Sequence, residues 1–225
     1  MNTYIQMLES RKMTLIMSLP DNNADFAKAA LDAGADVLKI HINLNHHASS
    51  NHFGTLDEER ERIEKIIEVK GDVPLGIVPG QDVSAVEPVL PQLEEMGFDF
   101  VSLYAHHAPL ALKTMSLKRM IAFDYSYDLN DLRYLDADVF EASIMDPNTY
   151  GNRLSEADVM RYRKARANTK LPIVVPTQRF ILPQEVSVLK EAGVNGIMLG
   201  AVVTGQTANG IYEAVKAFRS AIGEL

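Results

Sequence analysis

Residues 37 to 45 read Val-Leu-Lys-Ile-His-Ile-Asn-Leu-Asn, a run in which a lysine, a histidine and two asparagines stand at every second position. Along a strand, side chains alternate between faces, so Lys39, His41, Asn43 and Asn45 share one side and Leu38, Ile40, Ile42 and Leu44 the other. An inward lysine can act as an electrophile or, as a free amine, form an imine, and a histidine beside it can carry protons. The flanks matter. Helix-ending text, Ala33-Gly34-Ala35-Asp36, comes before, and a capped helical run from Thr55 comes after. A strand between helices belongs to a parallel sheet, which is normally apolar on both faces. A polar stripe there marks a cavity, a ligand site or a charge network.

A second stripe matches it. Phe140-Glu141-Ala142-Ser143-Ile144 places Glu141 and Ser143 on one face, with the apolar residues on the other. An unpaired charge in an interior costs several kcal/mol, so an inward lysine and an inward glutamate are expected to pair. The pair is either a structural ion pair or the centre of general acid/base chemistry, with Glu141, Lys39 and His41 as the catalytic candidates. All six histidines lie in two segments, 41–52 and 106–107. His46, His47 and His52 are either solvated loop residues or ligands of a divalent metal, and His106 is a candidate substrate contact. No spacing motif fixes a ligand set, so no metal residue is assigned and no cofactor is expected. Asp124, after Ala122-Phe123, is a third carboxylate for the substrate or a helix cap. Asn43 and Ser143 are further candidate substrate contacts.

These residues need elements to hold them. Strand text occurs at 14–19, 37–44, 74–79, 99–105, 119–124, 138–145, 171–176 and 196–203. Helical periodicity fills the intervals at 22–29, 55–69, 84–95, 107–115, 128–134, 155–167, 183–192 and 206–222. Thr55 and Ser84, each with Glu three residues on, have capping-box spacing; Asp21 and Ser155 are N-cap candidates. Gly34, Gly97 and Gly193 stand where a helix needs a left-handed residue after its end. Ala-Gly34-Ala-Asp36, Met-Gly97-Phe-Asp99, Leu-Asp136-Ala-Asp138 and Ala-Gly193-Val-Asn195 precede strands two, four, six and eight, a coarse internal repeat. Eight alternating units over 1–225 with no linker read as an α/β protein, one (β/α)8 TIM barrel domain. The rival, an open doubly wound sheet, would usually carry a glycine-rich loop after strand one, and Ser18-Leu-Pro-Asp-Asn-Asn23 is not one.

Composition narrows the partners. The 225 residues are 47% hydrophobic and carry net charge −8, with no Cys, so thiolate chemistry and disulfides are excluded. Basic residues are scattered, which speaks against nucleic acid. No apolar run approaches the ~20 residues of a membrane span, and no signal-peptide core opens the chain. A cytoplasmic protein is expected.

Leu171-Pro-Ile-Val-Val-Pro-Thr-Gln-Arg179, followed by Pro183 through Ala-Gly193-Val-Asn-Gly-Ile-Met-Leu-Gly200-Ala201, resembles the last quarter of phosphate-binding TIM barrels. These include the ribulose-phosphate-binding epimerases, decarboxylases and synthases, and the histidine and tryptophan biosynthetic barrels. The resemblance covers about 50 residues closely and the remainder in rhythm. It implies that backbone amides at Gly200 and Ala201 hold a substrate phosphate. Many such barrels have Gly-Gly at the end of strand seven, where this chain has Thr177-Gln178-Arg179. The Thr177 hydroxyl and Arg179 guanidinium are then expected to complete the grip. The aspartates that open strands one and eight in the histidine-pathway barrels are absent, since Ser18 and Leu199 stand there, so no individual member is indicated.

The resulting expectation is an enzyme of carbohydrate metabolism acting on a small phosphorylated metabolite by proton transfer next to a carbonyl, an isomerase or epimerase. The alternatives are an aldolase-type lyase using Lys39, a metal-dependent hydrolase or lyase, and a non-catalytic binding barrel. A homodimer is expected by analogy alone.

Overall fold

The computed structural model describes residues 3–10 and 12–225. Eight parallel strands form a closed barrel, each hydrogen-bonded to its sequence neighbours and the last to the first. They are β1 (Thr14–Ser18), β2 (Val37–His41), β3 (Leu75–Val78), β4 (Phe100–Tyr104), β5 (Lys118–Ala122), β6 (Val139–Glu141), β7 (Ile173–Pro176) and β8 (Gly196–Leu199). The (β/α)8 expectation is met. Among the described residues no helix is long and apolar enough to cross a membrane.

The repeated text before the even strands has a physical function. Carboxylate oxygens of Asp36, Asp99 and Asp138 accept the backbone N–H groups of Leu15, Leu75 and Arg119 at 2.8, 2.9 and 2.8 Å. The amide oxygen of Asn195 accepts that of Ile173 at 2.9 Å. Each even strand thus satisfies an otherwise unpaired donor at the start of the odd strand before it. Asp99→Ala is expected to cost about 1–3 kcal/mol in urea unfolding, the penalty for stranding one partly buried donor. An unchanged midpoint would show that water replaces the carboxylate freely.

Gly34, Gly97 and Gly193 have φ of 100°, 79° and 84°, as their positions after helices require. Thr55 and Ser155 cap Leu56–Lys70 and Glu156–Asn168 with reciprocal capping boxes. The other two capping expectations are corrected. Asn23, not Asp21, caps Ala24–Asp32, and Asp82 rather than Ser84 caps the helix at Val83. The stretch 84–95 is divided, because Pro88 and Pro91 each remove a helix donor. Segments 107–115 and 128–134 form only 3₁₀ turns, too short for a stable α-helical face. Strand eight ends at Leu199, and a helical turn, Ala201–Thr204, replaces its expected last residues.

Inside the barrel the side chains stack in layers. Val37, Phe100, Val139 and Val174 form an apolar floor, closed from below by Tyr4, whose ring stacks on Phe100 at 4.1 Å. Lys39, Ser102 and Glu141 follow one pleat higher, then His41, Tyr104 and Ser143. Period-two alternation on the even strands therefore raises the polar stripes step by step from a greasy base toward the open C-terminal mouth.

Candidate active site

The barrel mouth holds a cavity of about 210 Å³. Lys39 on β2 and Glu141 on β6 start from strands half-way round the ring of eight and meet near its axis. Their Nζ and Oε2 atoms are 3.8 Å apart, with side chains 6% and 8% exposed. Ser102 Oγ on β4 donates to the same Glu141 oxygen at 2.6 Å, a charge-assisted bond. Burial lowers the pKa of Lys39, and the Glu141 charge only partly opposes this. The inward orientation expected for both residues is observed.

His41 sits one pleat above Lys39. Its Nε2 lies 3.4 Å from Ser18 Oγ, and Asn22 clamps its backbone by donating to the His41 carbonyl at 2.7 Å. Burial first, then His46 and Lys39, push its pKa well below the usual value, so the ring is neutral at physiological pH. The His46 ring lies beside it, tilted by 45° at a centroid distance of 4.6 Å, and its pKa is held down to about 4, chiefly by burial. It belongs to a small hairpin, Leu44–Asn45 against His52–Phe53, that leans over the mouth. Asn51 and Gln206 tie this hairpin to the turn after β8, and His47 reaches the Pro147 carbonyl at 3.4 Å. Among the described residues no group of three His, Asp or Glu side chains is placed to hold a metal ion.

Several expected substrate contacts lie elsewhere. Asn43 leaves the strand with φ 55°, so the alternation stops at His41, and its amide donates to the Pro79 carbonyl at 3.0 Å. Asp124 closes a turn, accepting from Ser126 N and Oγ at 2.7 and 2.6 Å. His106 is exposed and stacked between Tyr104 and Tyr127, and His107 lines the cavity in its place. Ser143, Thr177 and Gly200 do line the cavity. Thr177 Oγ1, however, accepts the Gly200 N–H at 2.9 Å, so that amide is already engaged. Val202, not Ala201, is the next residue on the wall.

Arg179 departs furthest from the expectation. Its guanidinium pairs in fork geometry with Asp158 at 2.9 and 3.1 Å and donates to the Thr149 carbonyl and hydroxyl, both at 2.6 Å. It is absent from the cavity wall. Burial raises the Asp158 pKa, but the bonds from Arg179 and Ser155 together outweigh it and hold the carboxyl below its usual range. Arg179 is a staple that fixes the loop after β6, and hence Tyr150, against the helix Glu156–Asn168. Arg179→Ala is expected to cost about 3–5 kcal/mol in stability, because Asp158 is left buried and unpaired. Thermal unfolding checks this, and a loss under about 1 kcal/mol, the scale of an exposed pair, would contradict it.

Sequence reasoning left Gln178 and Tyr150 out of the site, although both line the cavity. Gln178 Nε2 donates to Ser143 Oγ at 2.9 Å and also to the Tyr150 hydroxyl. Tyr104 bonds Ser143 Oγ at 2.9 Å. The signal for Gln178 was the unusual Thr-Gln-Arg where glycines were expected. Tyr150 lies in an irregular loop and left none.

No family model matches the chain, and no curated protein matches it. Solved structures do. Tryptophan synthase from M. tuberculosis superposes with TM-score 0.68 at 11% identity, over 96% of this chain and 97% of that one. Phosphoribosyl anthranilate isomerase from Thermus thermophilus gives 0.65 at 15%, over 94% and 99%. A native KDPGal structure gives 0.65 at 17%, over 95% and 96%. The chain is a (β/α)8 barrel that shares its fold with these structures.

Proposed function

We propose that this barrel is an enzyme acting on a small phosphorylated metabolite, of the sugar-phosphate class, by proton transfer next to a carbonyl, as an isomerase or epimerase. The observation that carries the reading is the Lys39–Glu141 pair, buried at the base of the cavity with Ser102 on the carboxylate. Glu141 takes the proton from the carbon beside the carbonyl. Lys39 offers a hydrogen to the oxygen on which negative charge develops, and the proton returns to the neighbouring carbon or the opposite face. Burial supports both roles by strengthening electrostatics and excluding water. Neutral His41 stands above them as a donor to a substrate oxygen.

For the phosphate end, support comes from the turn after β8. The first N–H groups of a helix lack intrahelical acceptors, which makes those of Ala201 and Val202 the available donors. A side chain at Gly200 would project into open space, its Cβ nearest to Thr177 Oγ1 at 3.9 Å. Phosphate can therefore approach the backbone there. Among the described residues lining the cavity Lys39 is the only lysine or arginine, so the grip relies on amides and not on guanidinium. The neighbours named for phosphoribosyl anthranilate and for KDPGal agree with a small-molecule substrate in the mouth. Calorimetry with matched pairs of phosphorylated and unphosphorylated sugars tests this. Tighter binding of the phosphorylated members, lost in Gly200→Leu with the fold intact, is expected. Equal binding within every pair would end the phosphate assignment.

A second reading, an aldolase-type lyase, is favoured by one observation, the lowered pKa of Lys39, which makes its amine a better nucleophile. Borohydride reduction during turnover separates the two. A reduced adduct on Lys39 means the lyase, and turnover without an adduct means acid/base chemistry.

A further inference from the structure

The hairpin over the mouth is held from two sides. Gln206, in the turn after β8, clasps it with both ends of one amide: Nε2 donates to the Ser49 carbonyl at 2.9 Å, and Oε1 accepts from Asn51 Nδ2 at 3.1 Å. Asn51 Nδ2 also donates to the Pro20 carbonyl, after β1, at 2.8 Å. On the other side His47 meets the Pro147 carbonyl and sets its ring edge-on to Tyr150 at 5.2 Å. A segment that leaves β2 thus reaches the loop after β6, half-way round the ring, and forms a strap over the cavity. The His46 backbone is bonded twice within it, its N–H to the Asn51 carbonyl and its carbonyl to the Ser50 N–H, each at 2.8 Å.

His46 lines the cavity, and the hydrogen bonds around its ring assign the tautomer. Nδ1 lies 2.8 Å from Ser49 Oγ, which also accepts the Asn51 N–H at 3.4 Å. Ser49 is 4% exposed, so its one hydroxyl hydrogen needs a protein acceptor, and the Nδ1 lone pair supplies it. The ring hydrogen is then on Nε2. Among the described residues no protein acceptor lies within hydrogen-bond reach of Nε2. Burial, then Lys39 and His47, hold the pKa down to about 4, so the ring is a neutral donor at physiological pH.

We propose that His46 is a further ligand-binding residue of this site, its Nε2–H donating to a phosphoryl oxygen of the ligand. The proposal rests on the reading of the mouth as a site for phosphorylated compounds. With the reacting carbon at Lys39 and Glu141, at the base of the cavity, the other end of the ligand points to the strap. Gln206 clasps that strap to the turn whose Ala201 and Val202 amides are assigned the phosphate. A neutral imidazole adds a directed donor to the anion there without burying a second cation beside Lys39.

In protein labelled with ¹⁵N at histidine, long-range proton–nitrogen spectra should show His46, assigned by its loss in His46→Gln, protonated at Nε2 and bare at Nδ1. Its Nε2 signal should move when glycerol 3-phosphate is added and stay when glycerol is added. In calorimetry the parent protein should bind the phosphate ester more tightly than glycerol. His46→Phe keeps a flat ring and removes the donor, and should weaken the ester at least about tenfold, the scale of one hydrogen bond to a charged group. His46→Gln, whose amide nitrogen reaches about as far as Nε2, should keep most of the affinity. A ring protonated at Nδ1, or an Nε2 signal that the ester leaves in place, would overturn the proposal. So would a His46→Phe protein that binds the ester like the parent. A loss shared equally by the Phe and Gln variants would also overturn it and confine His46 to holding the strap. These failures leave the phosphate reading standing. An ester bound by the parent no more tightly than glycerol removes that reading, and the proposal with it.

Discussion

Lys39→Met is expected to destabilise the protein by about 3–5 kcal/mol, the cost of leaving one member of a buried ion pair without its partner. Its Nζ is 3.8 Å from Glu141 Oε2, and both side chains are almost fully removed from water. The Ser102 bond remains and holds the carboxylate, but a neutral hydroxyl cannot replace a charge. Glu141→Gln should cost less, because the buried amine already has a lowered pKa and can give up its proton. The double variant Lys39→Met/Glu141→Gln should recover much of the loss, since no isolated charge remains. Urea unfolding of all four proteins completes the cycle. Additive single effects would mean that the two charges do not interact in solution.

The largest expected effect on activity is that of Glu141→Gln. Removing a general base costs about 10²–10⁴-fold in rate. The loss should fall on kcat, with KM little changed, because the proposed chemistry assigns the carboxylate to the reacting carbon and the backbone amides to the phosphate. Glu141→Asp, which draws the carboxylate back by about one carbon–carbon bond, should lose part of the rate, since misplacement by about 1 Å can cost 10²-fold. Steady-state kinetics on the first substrate found reads both. A Glu141→Gln protein with undiminished kcat would restrict the pair to a structural role.

Much of this is legible in the sequence because strand alternation is local. On β2 and β6 each residue's face follows from its neighbours, so the inward placement of Lys39, His41, Glu141 and Ser143 follows from the pattern alone. The same logic fails at Asn43, where a left-handed backbone ends the alternation, and the pattern carries no mark of it. Arg179 fails for another reason. Its partner Asp158 lies on a helix 21 residues earlier, and pairing across the fold is not encoded in local spacing. The 3₁₀ turns at 107–115 and 128–134 carry helical periodicity but lack the length to stabilise a full helix. The repeated text before the even strands reads as rhythm alone, because the odd-strand amides that its carboxylates accept lie some twenty residues away.

Hydrogen exchange tests proton transfer beside a carbonyl at the Lys39–Glu141 pair. The protein is incubated in deuterium oxide with a panel of phosphorylated aldoses and ketoses, and each is followed by proton NMR. At least one compound is expected to take up deuterium at the carbon next to its carbonyl, and Glu141→Gln is expected to suppress the uptake by at least about 10²-fold. Product formation with no deuterium at that carbon, or uptake that Glu141→Gln leaves untouched, would contradict proton transfer at this pair.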